Sequence, residues 1–394
     1  MSFRSATPKT GDFLEVRSSG GWVPLSYVER SESLYLLASG NNARWCSHIL
    51  RSGTAEMRKG GSISWCRAFL ETDRSLRDSI IEEFRSKYGT VDFNHWFEKP
   101  GRLIRLQLAQ NASMARQDNY FSWLESEFDS VSVEYDRHIT GNSINMLLRE
   151  RSLWLMGQTF HRGSSLLEIG CGSGMETIPM LREGHDIVAL DISSSMLDIV
   201  RNKAKQEGLS SSLTTVKMRA GELHRLLETY SPGTFDGCYS TYGALNCEPT
   251  LKPIPETLHS LIGRDGKFVA GIFNKFCLAE CLGYALSFRP GRALRRLRNP
   301  IKEGNSRFCV DVYSYTLATF SDLFACYFSP ARVLGVPVLM PPSDLDSYVS
   351  KISGRFKLLN SLDLWFAGKW PFYGLGDHFL ISMSRRNAAE PAIA

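Results

Sequence analysis

Leu166-Leu167-Glu168-Ile169-Gly170-Cys171-Gly172-Ser173-Gly174 sets three alternating glycines directly after a short apolar run that contains a carboxylate. This is the composition of a buried parallel strand that breaks into a tight turn and then a helix. Glycine suits such a turn because the backbone there takes angles closed to other residues and lets a ligand approach bare backbone. The helix expected to begin near Met175 would aim its N-terminal amides at a negative group of that ligand. Such a turn can also be purely structural, so the next stretch of chain decides its meaning. Past Gly184, the run Ile187-Val188-Ala189-Leu190-Asp191-Ile192-Ser193 reads as a second buried strand with a carboxylate at its end. Asp191 stands about 20 residues beyond the turn, where an acidic side chain can take the two hydroxyls of a ribose. The spacing Glu-x-Gly-x-Gly-x-Gly departs from the Gly-x-Gly-x-x-Gly that fits a dinucleotide pyrophosphate.

At these residues the chain resembles the class I S-adenosylmethionine-dependent methyltransferases. The resemblance implies that Glu168 and the turn Gly170, Cys171, Gly172 and Gly174 hold the methionine end of the cofactor. It implies that Asp191, with Ile192 beside it, binds the ribose. It places Ala220-Gly221-Glu222 beside the adenine, and Ser240 at the end of the fourth strand also falls in the cofactor set.

From Ser165 onward strand-like and helix-like stretches alternate, the pattern of a doubly wound parallel sheet. Thr214–Arg219 reads as the third strand, Phe235–Ser240 as the fourth and Lys267–Ile272 as the fifth. Arg332–Val338 and His378–Met383 complete the sheet. Ligands of such sheets bind beyond the carboxyl ends of the strands, and the motif residues fall at those ends. The fourth strand leads into Thr241-Tyr242-Gly243-Ala244-Leu245-Asn246-Cys247, where methyl group and acceptor should meet. Aligning a sulfonium with its acceptor and excluding water does most of the chemistry. A hydroxyl acceptor would add the need for a base. Tyr242, Asn246 and His378 are the catalytic candidates, Asn246 only as an orienter, and packing is an alternative for each. The Asp-Pro-Pro-Tyr or Asn-Pro-Pro-Tyr motif of adenine and glutamine methylation is absent, which points away from nucleic acid.

Residues 1–110 have a different texture. Short alternating runs at Phe13–Arg17, Trp22–Val28, Ser33–Ser39, Ala55–Arg58, Ser62–Phe69 and Leu103–Leu108 are separated by turn residues such as Ser18-Ser19-Gly20-Gly21 and Lys59-Gly60-Gly61. With a helix over Ser75–Tyr88, they suggest a small β-barrel. Val23-Pro24-Leu25 with Tyr27, Leu36–Ser39, and Arg44-Trp45 with Leu50-Arg51 resemble the split-barrel nitroreductases and quinone reductases that use flavin or deazaflavin. That likeness implies a flavin or deazaflavin site in which Arg44, Arg51, Arg58 and Lys59 neutralise a phosphate tail; the alternative is a barrel that has lost its cofactor. Residues 111–126 read as a linker, 127–386 as the methyltransferase-like domain with an insertion at about 274–326, and 387–394 as a tail. Phe128-Asp129 and Tyr135-Asp136 resemble the segment that folds over the cofactor in many small-molecule methyltransferases.

Across 394 residues the net charge is only +5, with 43% hydrophobic and 22% charged residues, so composition alone does not argue for nucleic acid. The start shows no secretory signal and no run is long enough for a membrane helix. The nine cysteines are scattered without ligand spacing, so reduced thiols, a cytoplasmic setting and no metal site are expected. The basic residues between 289 and 307 (Arg289, Arg292, Arg295, Arg296, Arg298, Lys302, Arg307) are a solvated face or a contact with anionic substrate or membrane. The expected function is methyl transfer to a small or lipid-like acceptor in a biosynthetic pathway. Its alternative is a redox enzyme whose barrel reduces a quinone-like or nitro substrate; a third use of the barrel is homodimerisation.

Overall fold

A computed structural model describes residues 13–18, 21–30, 33–39, 43–60, 62–89, 93, 100–108, 116–286, 295–297, 300–304, 309–342 and 356–387. The chain divides into two compact units, Met1–Glu127 with Gly304–Phe308, and Phe128–Glu303 with Cys309–Ala394. The division falls inside the long helix Arg116–Thr140.

In the first unit six antiparallel strands close into a barrel: β1 (Phe13–Ser18), β2 (Gly21–Arg30), β3 (Ser33–Ser39), β4 (Thr54–Lys59), β5 (Ser62–Leu70) and β6 (Pro100–Leu108), in the order β1-β2-β3-β6-β5-β4. The strand alternation expected from the sequence is present, with Leu14 and Val16 buried and Phe13 exposed. A helix over Arg74–Tyr88, capped by Asp73, buries Ile80, Ile81, Phe84 and Tyr88 against Val28, Tyr35, Leu37 and Leu103. The Tyr88 hydroxyl accepts from the Tyr27 amide (3.0 Å) and donates to its carbonyl (2.9 Å), fixing the helix to the barrel. Alternation gave no hint of the helix Arg44–Ser52. Arg58 pairs with Glu15 (3.0 Å) and lies over the Trp22 ring, and Lys59 pairs with Glu29 (2.7 Å), so both expected phosphate partners are engaged with carboxylates. The side chains of Arg44 and Arg51 lie outside the described residues.

The second unit is built on a seven-stranded sheet: β7 (Ser165–Ile169), β8 (Asp186–Asp191), β9 (Leu213–Lys217), β10 (Phe235–Ser240), β11 (Ile262–Phe273), β14 (Phe328–Val336) and β15 (His378–Arg385). Its order is β14-β15-β11-β10-β7-β8-β9, with β12 (Ile301–Gly304) and β13 (Cys309–Val312) forming a separate ribbon. Six strands point the same way, while β15 runs antiparallel to both β11 and β14, so the sheet is mixed at that edge where the sequence pattern read as parallel. Successive residues of β7 serve opposite faces. Leu166 packs with Leu147, Met156, Val200 and Tyr239, and Leu167 with Phe235, Leu258, Phe268 and Phe324. Helices therefore cover both sides. From β7 the chain passes to β8 on one side, and β10 flanks β7 on the other. This reversal opens a crevice at the carboxyl ends of β7 and β10.

The helix after the glycine turn is Thr177–Arg182, shorter than expected. Gly170, Gly172 and Gly174 all hold left-handed angles (φ +77°, +52° and +83°), so helical geometry cannot begin until they are passed. A β-carbon on Gly174 would lie 2.3 Å from the Val200 side chain, whereas one on Gly184 (φ +88°) would meet nothing within 4 Å. Gly184→Ala should therefore cost about 1–2 kcal/mol of backbone strain, and Gly174→Ala a further ~1–3 kcal/mol from overpacking. Urea unfolding of the two variants measures the difference; equal losses would contradict the close approach to Val200.

Candidate active site

The glycine turn is stitched to the end of β8. Gly170 and Cys171 amides both donate to the Leu190 carbonyl at 2.8 Å. The Asp191 carboxylate accepts from the Gly172 amide (2.8 Å) and the Ser193 amide (2.9 Å). Ser193 caps the helix Ser194–Gln206 and donates its hydroxyl to Asp129 (2.5 Å). Asp136, next to Tyr135 in the chain, accepts from the Ser173 hydroxyl and pairs with Lys203. Phe128–Thr140 is thus drawn across the turn, as expected of a covering segment, and Tyr135 lines the cleft beneath it.

That cleft is walled by Tyr135, Arg149, Gly170–Ser173, Met175, Glu176, Thr241 and Tyr242. Arg149 and Glu176 form a buried ion pair inside it. Burial works against the Arg149 charge, but Glu176 and then Tyr135 hold its pKa above the ordinary value. One buried cation and one buried anion side by side match the two charges of a free amino acid. Carboxylate would exchange onto Arg149 and ammonium onto Glu176. The donor set therefore fits the methionine end of S-adenosylmethionine, which would supply an electrophilic methyl group here.

The other residues expected at the site divide clearly. Gly170, Cys171 and Gly172 line the cleft, and Gly174 packs behind it on Val200. Glu168 is buried beneath the turn, accepting the Thr177 hydroxyl at 2.6 Å, and does not face the cleft. Ile192 is half-buried between Asp191 and Ser193. Gly221 donates its amide to Glu248 (2.9 Å), and Glu222 accepts from the Arg219 amide in the same short helix, Ala220–Glu228. The Ser240 hydroxyl donates to the Ile169 carbonyl (2.9 Å), tying β10 to β7.

Among the catalytic candidates, Tyr242 lines the cleft at φ 50°, the one non-glycine residue in the left-handed region among the described residues. Such strain concentrates at functional positions. Its hydroxyl bonds the Leu148 carbonyl, burial pushes its pKa up, and the Arg149 guanidinium lies 5.3 Å from its ring. Asn246 is fully buried; its amide donates to the Tyr313 carbonyl (2.7 Å) and accepts from the Phe273 amide (3.0 Å), a clamp between strands. His378 lies edge-on to Tyr242 at 5.6 Å.

Sequence reasoning missed Arg149, Met175 and Glu176 as lining residues, while Ser173 lies in the expected turn and Thr241 in the stretch expected to meet the acceptor. The available signal was Arg149-Glu150-Arg151, three charges set between Leu147-Leu148 and Leu153-Trp154-Leu155 in the helix Ser143–Thr159. Arg289, Arg292, Arg298, Arg307 and the Lys302 side chain lie outside the described residues. Arg295 and Arg296 are turned inward onto Glu280, not outward as a basic surface. Cys277, Glu280 and Asp377 bring ligand atoms within 4.8 Å of one another, a span a metal ion could bridge, but Arg296 pairs with both carboxylates and supplies the positive charge there.

Residues 166–266, from β7 into β11, match the family described as a methyltransferase domain. Over that stretch the chain is similar to methyltransferase domains. It is 36% identical over 151 residues to the 18S rRNA (guanine-N(7))-methyltransferase bud23 of Schizosaccharomyces pombe, covering 36% of this chain and 52% of that one. It is 26% identical over 110 residues to the tRNA 5-carboxymethoxyuridine methyltransferase of Escherichia coli, covering 27% and 42%. It is 25% identical over 138 residues to the demethylmenaquinone methyltransferase of Bacteroides fragilis, covering 34% and 53%. The chain thus spans about half the length, or less, of these relatives. No described helix is long and apolar enough to cross a membrane.

The buried carboxylates make the second unit sensitive to pH. Burial pushes Glu168 up to about 8 against its bond from Thr177, and Asp191 up to about 6 against the amides of Ser193 and Gly172. In the unfolded chain both ionise near about pH 4. Above that pH the native protein therefore keeps protons that the unfolded chain has lost, and stability falls as pH rises toward the folded values. The limit for one group is roughly tenfold in the unfolding equilibrium per pH unit. Glu168→Gln, which keeps an acceptor for Thr177, should flatten the fall above about pH 6 and leave the variant the more stable protein near pH 8. Urea unfolding across that range reads it; a variant less stable than wild type near pH 8 would contradict a raised Glu168.

Proposed function

We propose that this protein is an S-adenosylmethionine-dependent methyltransferase that transfers the methyl group to a small or lipid-like acceptor. The observation that carries it is the Arg149–Glu176 pair beside the glycine turn, a buried cation and anion within the cleft at the carboxyl edge of β7. Arg149 and Glu176 would take the charged amino-acid end of the cofactor, and the Gly172 backbone, held by Asp191, lets it approach. Asp191 and Ile192 would serve the ribose, and Gly221 and Glu222 the adenine.

The relatives act, by name, on tRNA, rRNA and a quinone precursor, so they divide on acceptor class. A small acceptor is favoured by Thr241-Tyr242-Gly243-Ala244, which stands where adenine and glutamine methylases carry Asn-Pro-Pro-Tyr. Tyr242 would help shape the acceptor end of the cleft. The barrel's likeness to split-barrel nitroreductases, and a flavin or deazaflavin in it, would add a second activity; no contact of the barrel's described residues favours one.

Calorimetric titration with S-adenosylhomocysteine tests the cofactor site. Wild type should bind in the micromolar range, and Arg149→Met should weaken binding by roughly 10- to 100-fold, the worth of a charged hydrogen bond. Asp191→Asn should also weaken it, through the turn. A folded wild type that does not bind, or an Arg149→Met variant with unchanged affinity, would remove this reading.

A further inference from the structure

His378 opens β15 directly after Asp377. The register pairs it with Phe273, the last residue of β11, and with Val336, the last of β14. It therefore stands at the carboxyl edge of the sheet, beside the cleft-lining Tyr242. Its ring is held edge-on between Tyr242 (5.6 Å) and Phe273 (5.3 Å), with 12% of the side chain exposed. Nδ1 lies 3.2 Å from Asp377 Oδ2. No other hydrogen bond reaches the imidazole among the described residues, so Nε2 is left open.

Asp377 is itself clamped. Arg296 bonds its Oδ1 through Nη2 and its carbonyl through Nη1 (3.0 Å), while Nε donates to Glu280 (2.6 Å) and the guanidinium lies 4.0 Å from the Phe273 ring. Burial opposes ionisation of Asp377, yet Arg296 and then His378 hold its carboxyl well below the usual range. An ionised Oδ2 can only accept. In its neutral form the imidazole then donates to it from Nδ1 and carries its lone pair at Nε2. The charged and titratable groups around the ring are Asp377 at Nδ1, Tyr242 with Arg149 over its face, and Arg296 and Glu280 behind Asp377.

We propose that Asp377, clamped by Arg296, is a positioning residue that holds His378 as a general base, and that the acceptor is a hydroxyl whose proton passes to His378 Nε2. This rests on the S-adenosylmethionine reading and names the acceptor class of the same site. The hydroxyl oxygen forms a bond to the methyl carbon, the carbon–sulfur bond breaks with its electron pair going to sulfur, and the sulfonium charge is lost. The O–H proton moves to Nε2, and the imidazolium so formed lies against the Asp377 carboxylate until it releases the proton to solvent. A neutral amine would attack without a base, so a base fixed at this edge is specific to a nucleophile that must shed a proton.

The test is long-range ¹⁵N correlation spectroscopy of the histidine rings in the full chain with S-adenosylhomocysteine, near neutral pH. Wild type should show His378 as the Nδ1–H tautomer, Asp377→Asn should shift it to Nε2–H, and Asp377→Glu should restore it. Carbethoxylation of His378 by diethyl pyrocarbonate, read by mass spectrometry, should slow at least roughly tenfold in Asp377→Asn, because Nε2 is the reacting atom. S-adenosylhomocysteine should bind both variants about as tightly as wild type, since Asp377 does not line the cleft. An Nε2–H tautomer in wild type overturns the proposal without any variant having to fold, and so does an unchanged tautomer in Asp377→Asn. With S-adenosylmethionine supplied, transfer to aniline or thiophenol in preference to phenol overturns the hydroxyl assignment. Loss of S-adenosylhomocysteine binding by wild type is a different outcome, and sinks the cofactor reading.

Discussion

Two backbone amides converge on one carboxylate, and the site hangs from that junction. Asp191 accepts from Gly172 on one side and Ser193 on the other. The first bond fixes the middle of the glycine turn, which no side chain of its own could hold. The second fixes the start of the helix Ser194–Gln206, whose cap Ser193 then reaches Asp129 in the covering helix. Turn, second strand, following helix and cover are thus joined through atoms that all lie at the end of β8. The junction is costly to leave unmade, because a buried carboxylate without donors would have to give up its charge.

Much of this was legible because it is local. Alternating glycines, an apolar run and an aspartate at the end of the next run are signals that a few neighbouring residues carry, and the strands around them appear where the pattern places them. The six barrel strands were legible for the same reason, since period two survives in a half-buried strand. What escaped depends on residues far apart in the chain. Arg149 and Glu176 meet only once the helix Ser143–Thr159 is laid on the sheet. The antiparallel β15 is invisible as such, because direction leaves no mark on an apolar run. Asn246 looked like a possible orienter of substrate, yet its amide is spent on the backbone of Tyr313 and Phe273. The residues expected at the adenine, Gly221 and Glu222, turn out to share a network with Arg219 and Glu248 that no spacing rule announces.

The buried charges of the second unit follow one plan. Arg149 pairs with Glu176, Arg151 with Asp363, and Arg296 with Glu280 and Asp377. Asp363 also accepts the amides of Val338 (2.8 Å) and Met340 (3.1 Å), just past β14. Such pairs add little net stability, because desolvation offsets most of the attraction, but breaking one leaves a charge stranded. They therefore act as locators. Each one ties a helix or segment to an end of the sheet with a geometry that apolar contact, which is non-directional, could not specify.

This explains why the segments after β11 can depart so far from a plain alternation of strand and helix and still deliver side chains to the carboxyl edge. Arg296 lies in a short helical turn, Arg295–Leu297, far along the chain from the glycine turn. Hydrophobic packing alone would let such a stretch slide. A guanidinium that donates to two carboxylates and two carbonyls allows one position only, and Asp377, fixed by it, fixes the residue next in the chain. The precision of the edge at His378 is thus set at Arg296, while the precision of the turn is set at the end of β8. The two halves of the candidate site are located by separate networks, one centred on Arg296 and one on Asp191.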